Sequence, residues 1–176
     1  MKNLIFMMIM FAFMDSNIIF DFNQKSNLKD WVIVDDVVMG GKSSGSFEIN
    51  SQGYGVFKGS ISLDNNGGFS SIRYRFDRKS IKEFTKIVLL IKGDTKKYQF
   101  RIKSNSSDYY SYITTFTTNG DWQEIQVPLK SMIPSFRGRK LDKPNFSDDG
   151  IEEIAFLIGN KNEEIFQLLI DKIALK

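Results

Sequence analysis

The chain contains no histidine and no cysteine. The first absence removes Ser-His-Asp and Cys-His catalysis and every imidazole metal ligand. The second removes thiolate nucleophiles, disulfides, thiolate zinc and iron–sulfur ligation, and leaves the redox compartment unreadable, since either would suit the chain. Any catalysis would have to rest on carboxylates, Lys, Arg, Tyr or Ser. A basic stripe is also lacking: the formal charge is only +3, with the cations interleaved among acids, so nucleic acid is not the expected partner. No internal repeat or low-complexity linker divides the 176 residues, a length that suits one domain with a sizeable core.

Long apolar runs are scarce too. The longest, Leu4–Met14, has eleven residues, too few to span a bilayer. With Lys2 before it, the run reads as the start of a secretory signal, although Asp15 follows at once and no small-x-small cleavage pattern appears. Residues 1–17 are therefore expected to be an apolar leader and residues 18–176 the domain. The expected location is exported or periplasmic, with membrane association if the leader stays; translation from Met14 would instead give a cytoplasmic protein.

What is present is mostly strand. Tyr98–Lys103 alternates strictly, with Tyr98, Phe100 and Ile102 on one side and Gln99, Arg101 and Lys103 on the other. Phe69–Phe76 separates Phe69, Ser71, Arg73 and Arg75 from Ile72, Tyr74 and Phe76. Ile87–Ile91 is continuously apolar, as a central strand buried on both faces would be. Strand candidates recur at Ile18–Phe22, Trp31–Val34, Gly45–Ile49, Tyr54–Leu63, Tyr109–Thr118, Trp122–Leu129, Ile151–Ile158 and Phe166–Leu175, with Pro128 closing its strand or lying on an edge. A short helix is expected at Lys79–Thr85, and residues 130–150 read as one irregular stretch. About ten short strands with turns every eight to twelve residues imply an all-β antiparallel sandwich.

The most distinctive text is a pair of glycine turns, Asp35-Asp36-Val-Val-Met39-Gly40-Gly41-Lys-Ser-Ser44 and Asn65-Asn66-Gly67-Gly68-Phe69-Ser-Ser-Ile-Arg73. Paired glycines permit positive φ and close approach, and Asn66-Gly67 is a hairpin signal. A phosphate loop is excluded, because the glycine that motif requires falls on Asp36 and a strand follows. Adjacent Asp35 and Asp36 point opposite ways along an extended chain, so one is expected to satisfy turn amides and the other to face solvent. Arg137-Gly138-Arg139, on the longest loop, suits carboxylate, phosphate or carbonyl partners. It is expected to pair with Asp35 or Asp36, which would unite the three loops as one recognition end. Tyr109, Tyr110, Tyr112 and Trp122 are candidates for a sugar-stacking platform, or else core and edge packing.

Taken together, Trp31 with Asp35–Gly41, Asn65–Arg73, Thr118–Ile125, Phe136–Arg139, Ile154–Ile158 with Asn160-Lys161, and Phe166–Asp171 resemble the complex I intermediate-associated protein 30 family in a short, bacterial-type form. The resemblance spans essentially the whole chain after residue 18. It implies a jelly-roll sandwich like that of galactose-binding domains and no catalytic residues, cofactor or metal. The mitochondrial members are assembly factors for NADH:ubiquinone oxidoreductase. The expected function is thus a non-enzymatic, monomeric module, an assembly or stabilising factor engaging a protein of a respiratory or membrane complex. Asp35, Asp36, Met39, Gly40, Gly41, Asn66, Gly67, Gly68, Phe69, Arg137 and Arg139 are its candidate partner- or ligand-binding residues. A carbohydrate-binding module is the alternative, and a carboxylate-dependent glycan-active enzyme ranks third.

Overall fold

A computed structural model describes residues 17–176. The expected leader, all but Asn17, therefore lies outside the described residues. Among those described, no helix is long and apolar enough to cross a membrane.

The described residues form thirteen strands, in order β1 (Ile18–Asp21), β2 (Trp31–Asp35), β3 (Ser44–Ile49), β4 (Gly55–Ile61), β5 (Ser70–Ser80), β6 (Lys86–Lys92) and β7 (Lys97–Lys103). The second half holds β8 (Ser111–Thr117), β9 (Trp122–Pro128), β10 (Ile133–Phe136), β11 (Arg139–Lys140), β12 (Gly150–Ile158) and β13 (Glu164–Leu175). They form two antiparallel sheets. One has the order β3-β4-β13-β6-β9, with β1 beside the second half of β13; the other runs β11-β10-β8-β7-β12-β5-β2. This is the antiparallel sandwich expected from the alternation, in the jelly-roll form that the family resemblance implied.

The core lies where the period-two pattern puts it. In the seven-stranded sheet Ile72, Ile102, Ile154 and Phe156 face inward and are fully buried, and Phe100 and Phe156 meet with ring centroids 5.2 Å apart. From the six-stranded sheet, Phe57 and Phe166 meet at 4.7 Å. Ile87–Ile91 lies in β6, flanked by β13 and β9, with Ile87, Leu89 and Ile91 fully buried. An aromatic cluster closes one edge, where Trp31 stacks on Tyr74 at 4.9 Å and Phe20 meets both rings edge-on.

Three local expectations change. Lys79–Thr85 is not a helix: β5 continues to Ser80, and Ile81 is drawn into the core by its amide bond to the Asp149 carbonyl (2.9 Å). Residues 130–150 are not wholly irregular, because Ile133 and Ser135 pair with Ile113 and Ser111 and add β10 and β11 to the sheet. Asn66-Gly67 does not make a hairpin. Asn65 and Asn66 both take positive φ (54° and 59°), in a loop that carries the chain from β4 in one sheet to β5 in the other. A two-residue turn would have kept both strands in one sheet.

Phe100→Ala should destabilise the fold by about 3–5 kcal/mol, because it empties space at the centre of the core. Thr115→Ala, exposed on β8, should change stability by no more than about 0.5 kcal/mol. Urea unfolding followed by tryptophan fluorescence measures both.

Candidate functional site

Both glycine loops cross between the sheets at the end marked by Asp35, Ser70 and Ile158, which pair across β2, β5 and β12. The crossing from β2 to β3 passes through Asp36–Ser43, and that from β4 to β5 through Ser62–Phe69. They meet on the side chain of Asp36, which is fully buried. Its Oδ1 accepts the Ser43 amide at 2.9 Å. Its Oδ2 accepts the Ser43 hydroxyl and the amides of Gly68 (2.5 Å) and Phe69 (3.2 Å). The Asp36 amide in turn donates to the Phe69 carbonyl at 3.2 Å.

This arrangement explains the glycines. A Cβ at Gly41 or at Gly67 would run into the Asp36 carboxyl group, so both positions must lack one. Gly40 and Gly68 adopt φ of 88° and 129°, where a side chain is strained. Asp35 is not in solvent either: it accepts the Gly45 amide at 2.9 Å and the Ser70 hydroxyl at 2.5 Å. Asn65 ties the two loops together again, donating to the Gly40 carbonyl at 3.0 Å. Burial by itself would raise the Asp36 carboxyl, but the bonds from Ser43, Gly68 and Phe69 more than offset it and hold the group below its ordinary value.

Around this anchor the chain presents apolar side chains to solvent. Val37, Val38 and Met39 form a short 3-10 turn and are 61, 72 and 56 % exposed; Leu63, on the facing loop, is 41 % exposed. Met39 was a candidate from sequence, whereas Val37, Val38 and Leu63 were not. The signal was there in the run Val37-Val38-Met39, which has no strand partner between a buried Asp and a Gly pair. Phe69 is half-buried at the base of the loop, and Asn66 sits exposed beside Asn65.

The arginine loop lies elsewhere. Arg137 and Gly138 turn the β10–β11 hairpin, which hangs on β8 beyond Ser111, at the opposite edge and opposite end of the seven-stranded sheet from Asp35. The expected ion pair of Asp35 or Asp36 with Arg137 or Arg139 is not formed. Both carboxylates are saturated by local donors, and Arg137 instead covers the Phe136 ring at 5.3 Å from its centroid. A single recognition end uniting all three loops is therefore ruled out. Nor do the tyrosines and Trp122 make one platform. Tyr112 is in the core against Phe146, Tyr109 packs on Phe136, and Trp122 stands on the other sheet against Tyr54.

The architecture defines the class: a jelly-roll sandwich of the kind seen in carbohydrate-binding modules. The chain superimposes on the family 11 carbohydrate-binding module from Clostridium thermocellum in complex with a β-1,3-1,4-mixed-linked tetrasaccharide with a TM-score of 0.67, at 19 % identity over 90 % of this chain and 94 % of that one. A family 11 module of the cellulosomal cellulase Lic26A-Cel5E of the same organism gives 0.65, at 20 % identity over 88 % and 91 %. At such identities the likeness is one of fold. The sequence carries the second step: the chain belongs to the Complex I intermediate-associated protein 30 (CIA30) family, whose profile matches residues 20–170. It is 24 % identical over 151 residues to the mitochondrial complex I intermediate-associated protein 30 of Drosophila melanogaster, a match covering 73 % of this chain. The matched chain spans only about half (51 %) of that relative's length.

Asp36→Ala should cost about 2–4 kcal/mol, because it leaves the Gly68, Phe69 and Ser43 amides without their charged acceptor. Since the folded carboxyl lies below its unfolded value, the stability it contributes is complete above about pH 4, the unfolded value, and is lost as the pH falls through the lower folded one. Urea midpoints from pH 7 down to pH 2 should converge for the wild type and Asp36→Ala. Gly67→Ala should destabilise by about 1–3 kcal/mol through the forced displacement of Asp36.

Proposed function

We propose that the chain is a non-catalytic binding module that assists the assembly or stability of a respiratory or membrane complex by docking a protein partner on the Val37–Met39 tip. The observation that carries this reading is the tip itself. Apolar side chains stand in solvent on two loops that a buried carboxylate holds in place, and such a patch on a rigid support is the form protein-binding surfaces take. Family membership supports the same reading, as does the matched Drosophila melanogaster protein, named as a mitochondrial complex I intermediate-associated protein. Asp35 and Asp36 take no part in acid–base chemistry in this reading, because their oxygens are occupied by amides and hydroxyls. A carbohydrate-binding role ranks second. It rests on fold likeness, and the strand positions on the outer face of the seven-stranded sheet carry no aromatic ring for a sugar to stack on. The apolar run at Leu4–Met14 fits delivery of the module to a membrane or across it.

Val38→Asp should leave stability within about 0.5 kcal/mol of wild type, being exposed, and weaken partner binding by about tenfold or more. The test is complementation of a deletion strain in the native host, read as assembled NADH:ubiquinone oxidoreductase on native gels and its activity in membranes. Wild type should restore both and Val38→Asp neither. A deletion strain with full levels of the complex would sink the respiratory reading.

A further inference from the structure

The outer face of the seven-stranded sheet is a second surface, remote in character from the apolar tip. Strand register aligns Arg73, Ala155 and Arg101 in one row across β5, β12 and β7. The adjacent row is Arg75, Glu153 and Lys103. Ala155 is a small, buried floor, so the two arginines of its row flank a gap about 10 Å wide, two strand spacings. Within these two rows four cations stand beside one carboxylate, Glu153, which accepts from Arg75 Nε at 2.7 Å; Asp108, on the loop after β7, lies near Lys103, whose Nζ donates to its carbonyl at 2.6 Å.

Arg101 is left with a neutral partner. Its Nε and Nη2 donate to Gln99 Oε1 at 3.1 and 2.7 Å, and among the described residues neither Arg101 nor Arg73 is ion-paired. Burial, and then the like charge of Arg73, push the Arg101 guanidinium down to about 10, still protonated at neutral pH. Burial, with Arg73 and Arg75 adding to it, also holds Lys103 below its ordinary value. Crowding like charges in the middle of a sheet opposes folding unless an anion joins them. Beyond Gln99 and Leu157 the face deepens into a depression of about 510 Å³ lined by Lys97 and Lys161, by Glu164, and by Lys96, which is itself paired with Asp94 at 2.8 Å. From Lys103 to Lys97 the trough runs along the strands for about 20 Å.

We propose that this trough docks an extended acidic segment of a protein partner, with one carboxylate seated between Arg73 and Arg101. That the partner is a protein rests on the reading above; the site and its chemistry do not. Guanidinium forks match carboxylates bidentately. The spacing selects a polypeptide: side chains at i and i+2 of an extended chain recur on one face every 6–7 Å, the same interval that separates Arg73 from Arg75 and Arg101 from Lys103. An acidic residue at every second position would meet each row in turn. A uronate polysaccharide has the charge, but the strand residues that line this trough, Arg73, Arg75, Glu153, Ala155, Leu157, Gln99, Arg101 and Lys103, include no aromatic ring for it to stack against.

The test titrates the full chain with a fluorescent peptide of alternating Glu and Ser, with a Gln and Ser peptide and polygalacturonate as the other probes. The Glu peptide should bind at low ionic strength, weaken with salt, and lose about tenfold or more in Arg73→Gln/Arg101→Gln, while Val38→Asp binds it as wild type does. Amide shifts of Ala155 and Arg101 in the wild type locate the peptide without relying on a variant. Absence of binding, equal binding by the double variant, shifts confined to other surfaces, or polygalacturonate bound in place of the peptide would each overturn the proposal. Because Val38→Asp separates the tip from the trough, loss of complementation with peptide binding retained would leave this site standing by itself.

Discussion

One buried carboxylate sets the geometry of the loop end. Asp36 lies out of solvent, and its cost of burial is offset only because backbone amides and a hydroxyl from both crossing loops point at its two oxygens. The two crossings share that one acceptor, so neither can shift without uncovering a charge. The paired glycines follow from the same fact, since the chain must pass close enough to donate and a Cβ would prevent it. The loops so held expose Val37, Val38 and Met39 to solvent.

The two surfaces differ in kind. The tip is apolar and built from loops, whereas the outer sheet face is cationic and built from the regular register of β5, β12 and β7. A sheet places side chains at fixed intervals of strand spacing and residue pair, so it holds charges at distances that loops would not keep. The inward side chains of the same strands, among them Ile72, Phe100 and Ile154, supply the core that holds those intervals. Stability and presentation of the arginines therefore rest on the same alternation.

That alternation was plain to read. Tyr98–Lys103 and Phe69–Phe76 assigned their own inner and outer faces correctly, because burial on a pleated strand is a local, period-two property. Local signals failed where a distant partner decided the outcome. Ile81 left a helix-like context because Asp149 and the core captured it. Asn66-Gly67 became part of a crossing loop because β5 belongs to the other sheet, and Ile133–Phe136 became a strand because the free edge of β8 was there to pair with it.

By itself, then, the sequence determined the all-β class, the core-facing residues and the absence of imidazole and thiol chemistry, and its motifs pointed to the family. It also marked Asp36 and the glycine pairs as unusual. Only the tertiary structure decided which of these features meet. Asp35 and Arg137 looked like one site and lie at opposite edges and ends of a sheet, while Arg73 and Arg101, far apart in the chain and legible only as outward strand residues, flank a single alanine. The reason is physical. Side-chain alternation is carried by neighbouring residues, but the order of strands in a sheet is set by long-range pairing, and every contact between a residue and one far along the chain waits on that order.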